Sequence, residues 1–192
     1  MSNEAGGKFR MFVFASPSGG GKSTIIRRIL QARPQLKFSI SACTRPRKPG
    51  EVDGVDYLFL SRSQFDEMIE KGEFIEFEEV HGELYGTPKS QITQAEAEGW
   101  SVIFDLDVKG ALKLKSLYPS AVLIFIDVPS IEVLRRRLLN RGRENEAEIE
   151  KRITRFRMEM ESADKFDFRI VNDNLEKAVS EILRIIDSKI NE

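Results

Sequence analysis

The sequence predicts an α/β fold: three layers around a mostly parallel sheet, with one inserted lobe and a helical lid. Three observations carry this. Met11 to Ala15 is a short apolar run that leads through SPSGGGKST into a helix with Ile25, Ile26, Ile29 and Leu30 on one face. Ser101 to Asp107 (SVIFDLD) and Ala121 to Val128 (AVLIFIDV) are two further buried strands, each followed by a helical pattern. Between them and the first unit, residues 38–90 read as short strands and loops rather than strand–helix units, which marks an insertion.

The turn between the first strand and helix carries the strongest chemical signal. Three consecutive glycines, a lysine and two hydroxyls form a strand–turn–helix nest whose backbone N–H groups suit anionic oxygen. Lys22 would reach the β- and γ-phosphates of a nucleoside triphosphate, and the Ser23 hydroxyl would ligate Mg²⁺. Measured against the P-loop pattern GxxxxGK[ST], one position departs: Ser16 stands where the first glycine belongs.

After that helix, Pro34 ends the element, and Leu36 to Ala42 reads as a second strand. The loop TRPRKPGEVDGVDY follows. Arg45, Arg47 and Lys48 fall within four residues there, after a hydroxyl-rich strand end, so the loop is expected to bind an anion. Tyr57 to Leu60 reads as a strand, and Ser61 opens a helix that Gly72 stops. Phe74 to Val80 alternates as a half-buried strand, HGELYGTP reads as a turn, and Gln91 to Glu98 as a helix.

Asp105 and Asp107 close the SVIFDLD strand, where a carboxylate in a phosphate-binding fold sits by metal or substrate. Val108 to Leu117 is helical. Pro129-Ser130 starts the helix carrying RRRLLNRGR, on which Arg137 and Arg141 share a face. A lid whose arginines close over a transferring phosphate is the reading preferred to a solvated basic helix or a nucleic-acid patch. Ile149, Ile153, Phe156 and Met160 form a packing stripe, with Arg152 and Arg155 off it. Phe168 to Val171 is a last strand. The terminal helix turns Val179, Ile182, Leu183, Ile186 and Ile190 inward.

Composition bounds the alternatives. The 192 residues suggest one domain, and 41% hydrophobic residues suffice for a core. A net charge of −1 gives no global pull toward nucleic acid or membrane. The single Cys43 excludes an intrachain disulfide and a cysteine metal cluster. The only histidine, His81, is remote in sequence, so Cys43 reads as an ordinary thiol. No apolar run is long enough for a signal peptide or membrane span, and residues 1–8 are polar and expected to be disordered. A cytoplasmic enzyme with no obligate protein partner is expected.

Taken together, SPSGGGKST, SACTRPRKPGEVDGVDY, FIEF, YGTP, DLD, RLLNRGR and IVND resemble the guanylate kinase family in content and order. The likeness runs from about Phe9 to Ile190. It implies a P-loop three-layer domain over 9–190, with a core of 9–37, 91–130 and 160–190. It also implies a GMP-binding lobe at 38–90 and a lid at 131–159. The implied activity is transfer of the γ-phosphoryl of ATP to GMP, and to dGMP, in purine nucleotide metabolism.

By the same resemblance, Ser16, Pro17, Ser18, Gly19, Gly20, Gly21, Lys22, Ser23 and Thr24 hold ATP, with Asn172 near its adenine. Ser41, Arg45, Lys48, Tyr57, Glu76, Tyr85, Thr87, Asp105 and Asp107 serve GMP. Lys22, Arg45, Arg137, Arg141 and Arg152 carry the chemistry. Departures from the family pattern are Ser16, Lys109 in place of a glutamine, and TRPRKPGE in place of TRxPRxGE. The last puts Lys48, or its neighbour Arg47, at the second phosphate contact. The competing readings are a P-loop kinase for AMP, dTMP or a non-nucleotide acceptor, a non-catalytic phosphopeptide-binding module, and a nucleic-acid binder.

Overall fold

The computed structural model describes residues 9–17, 19–80, 82–140 and 146–192; residues 1–8, Ser18, His81 and 141–145, Arg141 among them, lie outside. In chain order the strands are β1 (Met11–Ala15), β2 (Leu36–Phe38), β3 (Ala42–Cys43), β4 (Leu58–Phe59), β5 (Phe74–Val80), β6 (Glu83–Pro88), β7 (Ser101–Asp105), β8 (Val122–Asp127) and β9 (Phe168–Val171). The α-helices are α1 (Lys22–Ala32), α2 (Arg62–Glu70), α3 (Ser90–Glu98), α4 (Val108–Leu117), α5 (Ile131–Leu139), α6 (Glu146–Met160) and α7 (Leu175–Asn191).

The main sheet has the order β2-β7-β1-β8-β9 and every pairing in it is parallel. Its three central strands, β1, β7 and β8, are buried on both sides because helices cover both faces. Val13, Phe104, Leu123 and Phe125 pack with Ala111 and Leu114 of α4 and Ile92 of α3. The alternate residues Phe12, Phe14, Ile103 and Ile124 pack with Ile25 and Ile29 of α1 and Ile182 and Ile186 of α7. A third cluster joins α5 to α6 through Leu134, Leu138, Ile149, Ile153 and Phe156. The helical stripe on α6 is therefore packing, as its spacing predicts.

The second sheet, β4-β3-β6-β5, is built from the chain between β2 and α3. Here the structure corrects three readings. Leu36–Ala42 is not one strand. Residues 36–38 pair with β7, whereas Ala42–Cys43 pairs with β4 and β6, so Ser39 to Ser41 carry the chain from one sheet to the other. The strand expected at Tyr57 to Leu60 is only Leu58–Phe59. HGELYGTP is not simply a turn, since Glu83–Pro88 is strand β6 in an antiparallel hairpin with β5. Glycine at 86 is required inside that strand, because a Cβ there would lie 2.8 Å from Phe74 and 3.0 Å from Phe65. Those two rings stack at 4.3 Å between centroids, a pair worth about 0.5–1.5 kcal/mol beyond its buried area.

A fourth correction bears on the site. SVIFDLD is not strand throughout: β7 ends at Asp105, and Asp107 is the N-cap of α4, its carboxylate accepting from Gly110 N–H at 2.8 Å. Both aspartates thus sit where the main sheet's C-terminal edge opens, one on a strand end and one on a helix cap.

Candidate active site

Strand β1 delivers the chain into the turn at Ser16, and α1 leaves it at Lys22. Gly20 N–H closes the turn on the Pro17 carbonyl at 2.9 Å, and the Gly21 carbonyl accepts from Thr24 and Ile25 N–H at 3.1 Å each. Gly19 and Gly21 have φ of +97° and +92°, left-handed values that side chains disfavour. Space adds a second reason. A Cβ on Gly21 would lie 2.5 Å from Asn172 Nδ2, and one on Gly19 would lie 2.8 Å from Leu134 Cδ1. A Cβ on Gly20 would come within 3.1 Å of Ser16 Oγ, so the serine at 16 is accommodated by the glycine at 20. Gly21→Ala is accordingly expected to cost about 1–3 kcal/mol. That lowers Tm by roughly 2–12 °C and weakens triphosphate binding; a thermal melt superimposable on the unsubstituted protein's would contradict it.

The turn forms one wall of a cleft of about 370 Å³, lined by Ser16, Pro17, Gly19, Gly20, Gly21, Lys22, Ser23, Thr24, Asp105, Asp107, Arg155 and Glu159. On its floor the Lys22 ammonium donates to the Leu106 carbonyl at 2.7 Å and lies 2.5 Å from Asp105 Oδ1. These contacts hold the cation at the mouth of the turn. Ser23 is exposed to the same cleft.

Asn172 is buried, and its amide donates to the Gly20 carbonyl at 2.8 Å. Its own carbonyl accepts from Arg137 Nη2 at 2.7 Å. Arg137, Asn172 and Gly20 therefore form a chain from α5 through the end of β9 to the turn, bracing the loop from behind. Arg137, Arg152 and Asn172 do not line the cleft. Among the described residues of 131–159, those that line the cleft are Arg155 and Glu159 of α6, neither of which the sequence reading put in the site. Their i, i+4 Arg/Glu spacing is common on solvated helices and gave no sign of the cleft.

Of the residues expected to serve the acceptor, Asp105 and Asp107 line the cleft of the glycine turn, and the others lie on or beside the second sheet. Glu51 takes both arms of the Arg45 guanidinium at 2.7 Å each and accepts from Lys48 N–H at 2.8 Å, which folds the cationic loop on itself. Those bonds hold the Glu51 carboxyl down to about 2, so the pair is ionised at neutral pH. The Arg45 guanidinium lies 4.9 Å over the Tyr57 ring, and Tyr57 meets Tyr85 edge-on at 6.1 Å. Ser41 is half-buried at the crossing between the sheets, while Arg47 and Lys48 are exposed. Burial raises the Cys43 thiol, the reverse of what a nucleophile needs.

Glu76 accepts from the buried Thr87 hydroxyl at 2.6 Å across the β5–β6 hairpin. Burial pushes its carboxyl above the usual range, the Thr87 bond pulls it back, and the charge of Asp107 pushes it up again. Gly110 is where the two clusters meet: a Cβ there would lie 3.3 Å from both Asp107 Oδ1 and Glu76 Cγ. Glu76 is therefore a near neighbour of Asp107, which lines the cleft of the glycine turn.

Comparisons with known proteins agree with this arrangement. The family model described as guanylate kinase matches residues 8–189. A guanylate kinase of Chlorobium luteolum is 48% identical over 178 residues, 92% of this chain and 90% of that protein. One from Thermotoga maritima is 42% identical over 182 residues, 95% and 88% of the two chains. The crystal structure of guanylate kinase from Anaplasma phagocytophilum superposes with a TM-score of 0.74 at 28% identity, covering 97% of this chain and 88% of that one.

Proposed function

This chain belongs to the guanylate kinase family, and from that membership we infer how its residues divide the work of moving the γ-phosphoryl of ATP onto GMP to give ADP and GDP. The observation that carries the reading is that Asp107, on the wall of the glycine-turn cleft, is a near neighbour of the carboxylate–hydroxyl pair Glu76 and Thr87.

Phosphoryl transfer needs little covalent work from protein; it needs two phosphates aligned, dry and charge-compensated. In this reading the amides from Gly19 to Thr24 and the Lys22 ammonium hold the donor. Asn172 supports that loop and lies toward the adenine. Arg45 holds the acceptor phosphate between Tyr57 and Tyr85, with Lys48 or Arg47 as the second cation. The acceptor is already an anion, so no general base is required. Arg137, Arg141 and Arg152 offset charge on the moving group when the lid over 131–159 closes on the core.

The exposed Ser23 hydroxyl and the Asp105 carboxylate offer hard oxygen donors in the same cleft, a set that suits Mg²⁺. When bound, the ion would neutralise charge on the donor phosphates. Guanine presents N1–H and N2–H₂ donors side by side, and Glu76 can accept both, with Ser41 and Thr87 beside it. The assigned contacts reach base and phosphate rather than the ribose 2′ position, so dGMP is expected as an acceptor too. The product fits purine nucleotide metabolism and recycling of GMP. Among the described residues no helix is long and apolar enough to cross a membrane.

Incubation with ATP, Mg²⁺ and GMP or dGMP, followed by chromatography, should yield ADP and the nucleoside diphosphate in equal amounts, and EDTA should stop the reaction. ADP formation without phosphorylated acceptor would contradict this reading, as would full rate in EDTA.

A further inference from the structure

We propose that Arg155 is a further catalytic residue of the lid, contacting the phosphates between donor and acceptor, and that Glu159 positions it. This inference rests on the phosphotransferase reading above. Arg155 and Glu159 are the residues of α6 that line the cleft, facing the wall made by the glycine turn and Lys22. Arg155 Nε donates to Glu159 Oε1 at 2.8 Å, while its Nη2 lies 3.6 Å from Asp107 Oδ2, beyond hydrogen-bond reach. One arm of the guanidinium is therefore fixed and the other is weakly held above the gap where donor and acceptor phosphates meet.

The chemistry follows from that asymmetry. A guanidinium has five donors in a rigid fork, so it can keep its bond to Glu159 while the outer arm turns from Asp107 to a phosphate oxygen. The contact given up is a long ion pair at a half-exposed side chain, so little is lost in the exchange. Glu159 is largely buried, at 13% side-chain exposure, and its Oε2 has no hydrogen-bond partner. A second carboxylate beside a phosphate site would repel the substrate unless a cation screened it. Arg155 is in place to do so, and an arginine aimed by a buried carboxylate is pre-organised for charge that develops during transfer. Asp107 lies beside Glu76 across Gly110, so the outer arm rests next to the carboxylate assigned to the acceptor's base.

The test is steady-state and single-turnover kinetics with ATP, Mg²⁺ and GMP. Arg155→Ala should lower kcat by about 10²-fold or more with KM for GMP changed less than about threefold. Added guanidinium ion should restore part of that loss, and Arg155→Lys, which keeps the charge but not the fork, should fall between. Glu159→Gln should lower kcat less, and the double variant should be no worse than Arg155→Ala, because Glu159 acts only through the arginine. A kcat within about threefold of the unsubstituted enzyme for Arg155→Ala would overturn the proposal while leaving the GMP kinase reading intact. So would a loss that guanidinium does not relieve and that matches a fall in Tm. An unsubstituted protein that forms no GDP would overturn both.

Discussion

Lys22→Ala is expected to reduce GMP-dependent turnover by at least about 10³-fold while GMP affinity stays within about twofold. The split follows from where Lys22 sits. Its ammonium is anchored to the Leu106 carbonyl and Asp105 at the end of the main sheet, beside the glycine turn. Arg45, Tyr57 and Tyr85, which the proposal assigns to the acceptor, lie on or beside the other sheet. Removing the cation leaves Asp105 facing incoming triphosphate, so repulsion adds to the lost attraction. Turnover like that of the unsubstituted enzyme, measured by coupled ADP release, would contradict the assignment of the donor phosphates to this turn.

Glu76→Gln is expected to cost GMP about 10- to 150-fold in kcat/KM for each charge-assisted hydrogen bond lost, with no comparable loss for AMP. A carboxylate can accept from both guanine donors, whereas a carboxamide has one acceptor oxygen and turns its NH₂ against a donor. The pH response gives an independent signature. Burial holds the Glu76 carboxyl above its usual range. GMP affinity should therefore fall on acidification sooner than an ordinary carboxylate would dictate, and the step should vanish in Glu76→Gln. Stability of the empty protein runs the other way: a carboxyl raised by the fold contributes most below its unfolded pKa, and that contribution is lost as pH rises through the folded value. Unchanged GMP-over-AMP selectivity in the variant would remove Glu76 from the base site.

The sequence makes the centre of the main sheet legible because both faces of β1, β7 and β8 are buried. Met11–Ala15 reads correctly from an unbroken apolar run, and Ser61 with Gln64 signals the start of α2 by a capping box that the structure contains. The second sheet is harder to read. Ser39 to Ser41 cross between sheets, a choice made by partners remote in sequence, Ile103 on one side and Gly86 on the other. Glu83–Pro88 carries Gly86 and Pro88, which locally suggest a turn, yet Gly86 is there to admit the Phe65 and Phe74 rings. In β5 a register shift between Phe74 and Glu76 buries Phe74 and Ile75 together, against simple alternation.

The site divides in the same way. Lys22, Ser23, Asp105 and Asp107 come together in one cleft from segments that motif spacing singles out. Arg155 and Glu159 do not belong to any such motif, and only the packing of Ile149, Ile153 and Phe156 against α5 aims them inward. Asn172 reads from sequence as a residue near a bound base, but in the structure it spends its amide on the Gly20 carbonyl. Its position is set by what it supports as much as by what it could touch.

The central claim is that the second sheet selects guanine and the first sheet supplies phosphate. The measurement that bears on it most directly is coupled ADP release with GMP, dGMP, AMP, dTMP and CMP offered separately under identical conditions. The account predicts rapid release with GMP and dGMP and, with the other three, release at least about 10²-fold slower. AMP or dTMP working as well as GMP, or no acceptor-dependent release at all, would contradict it.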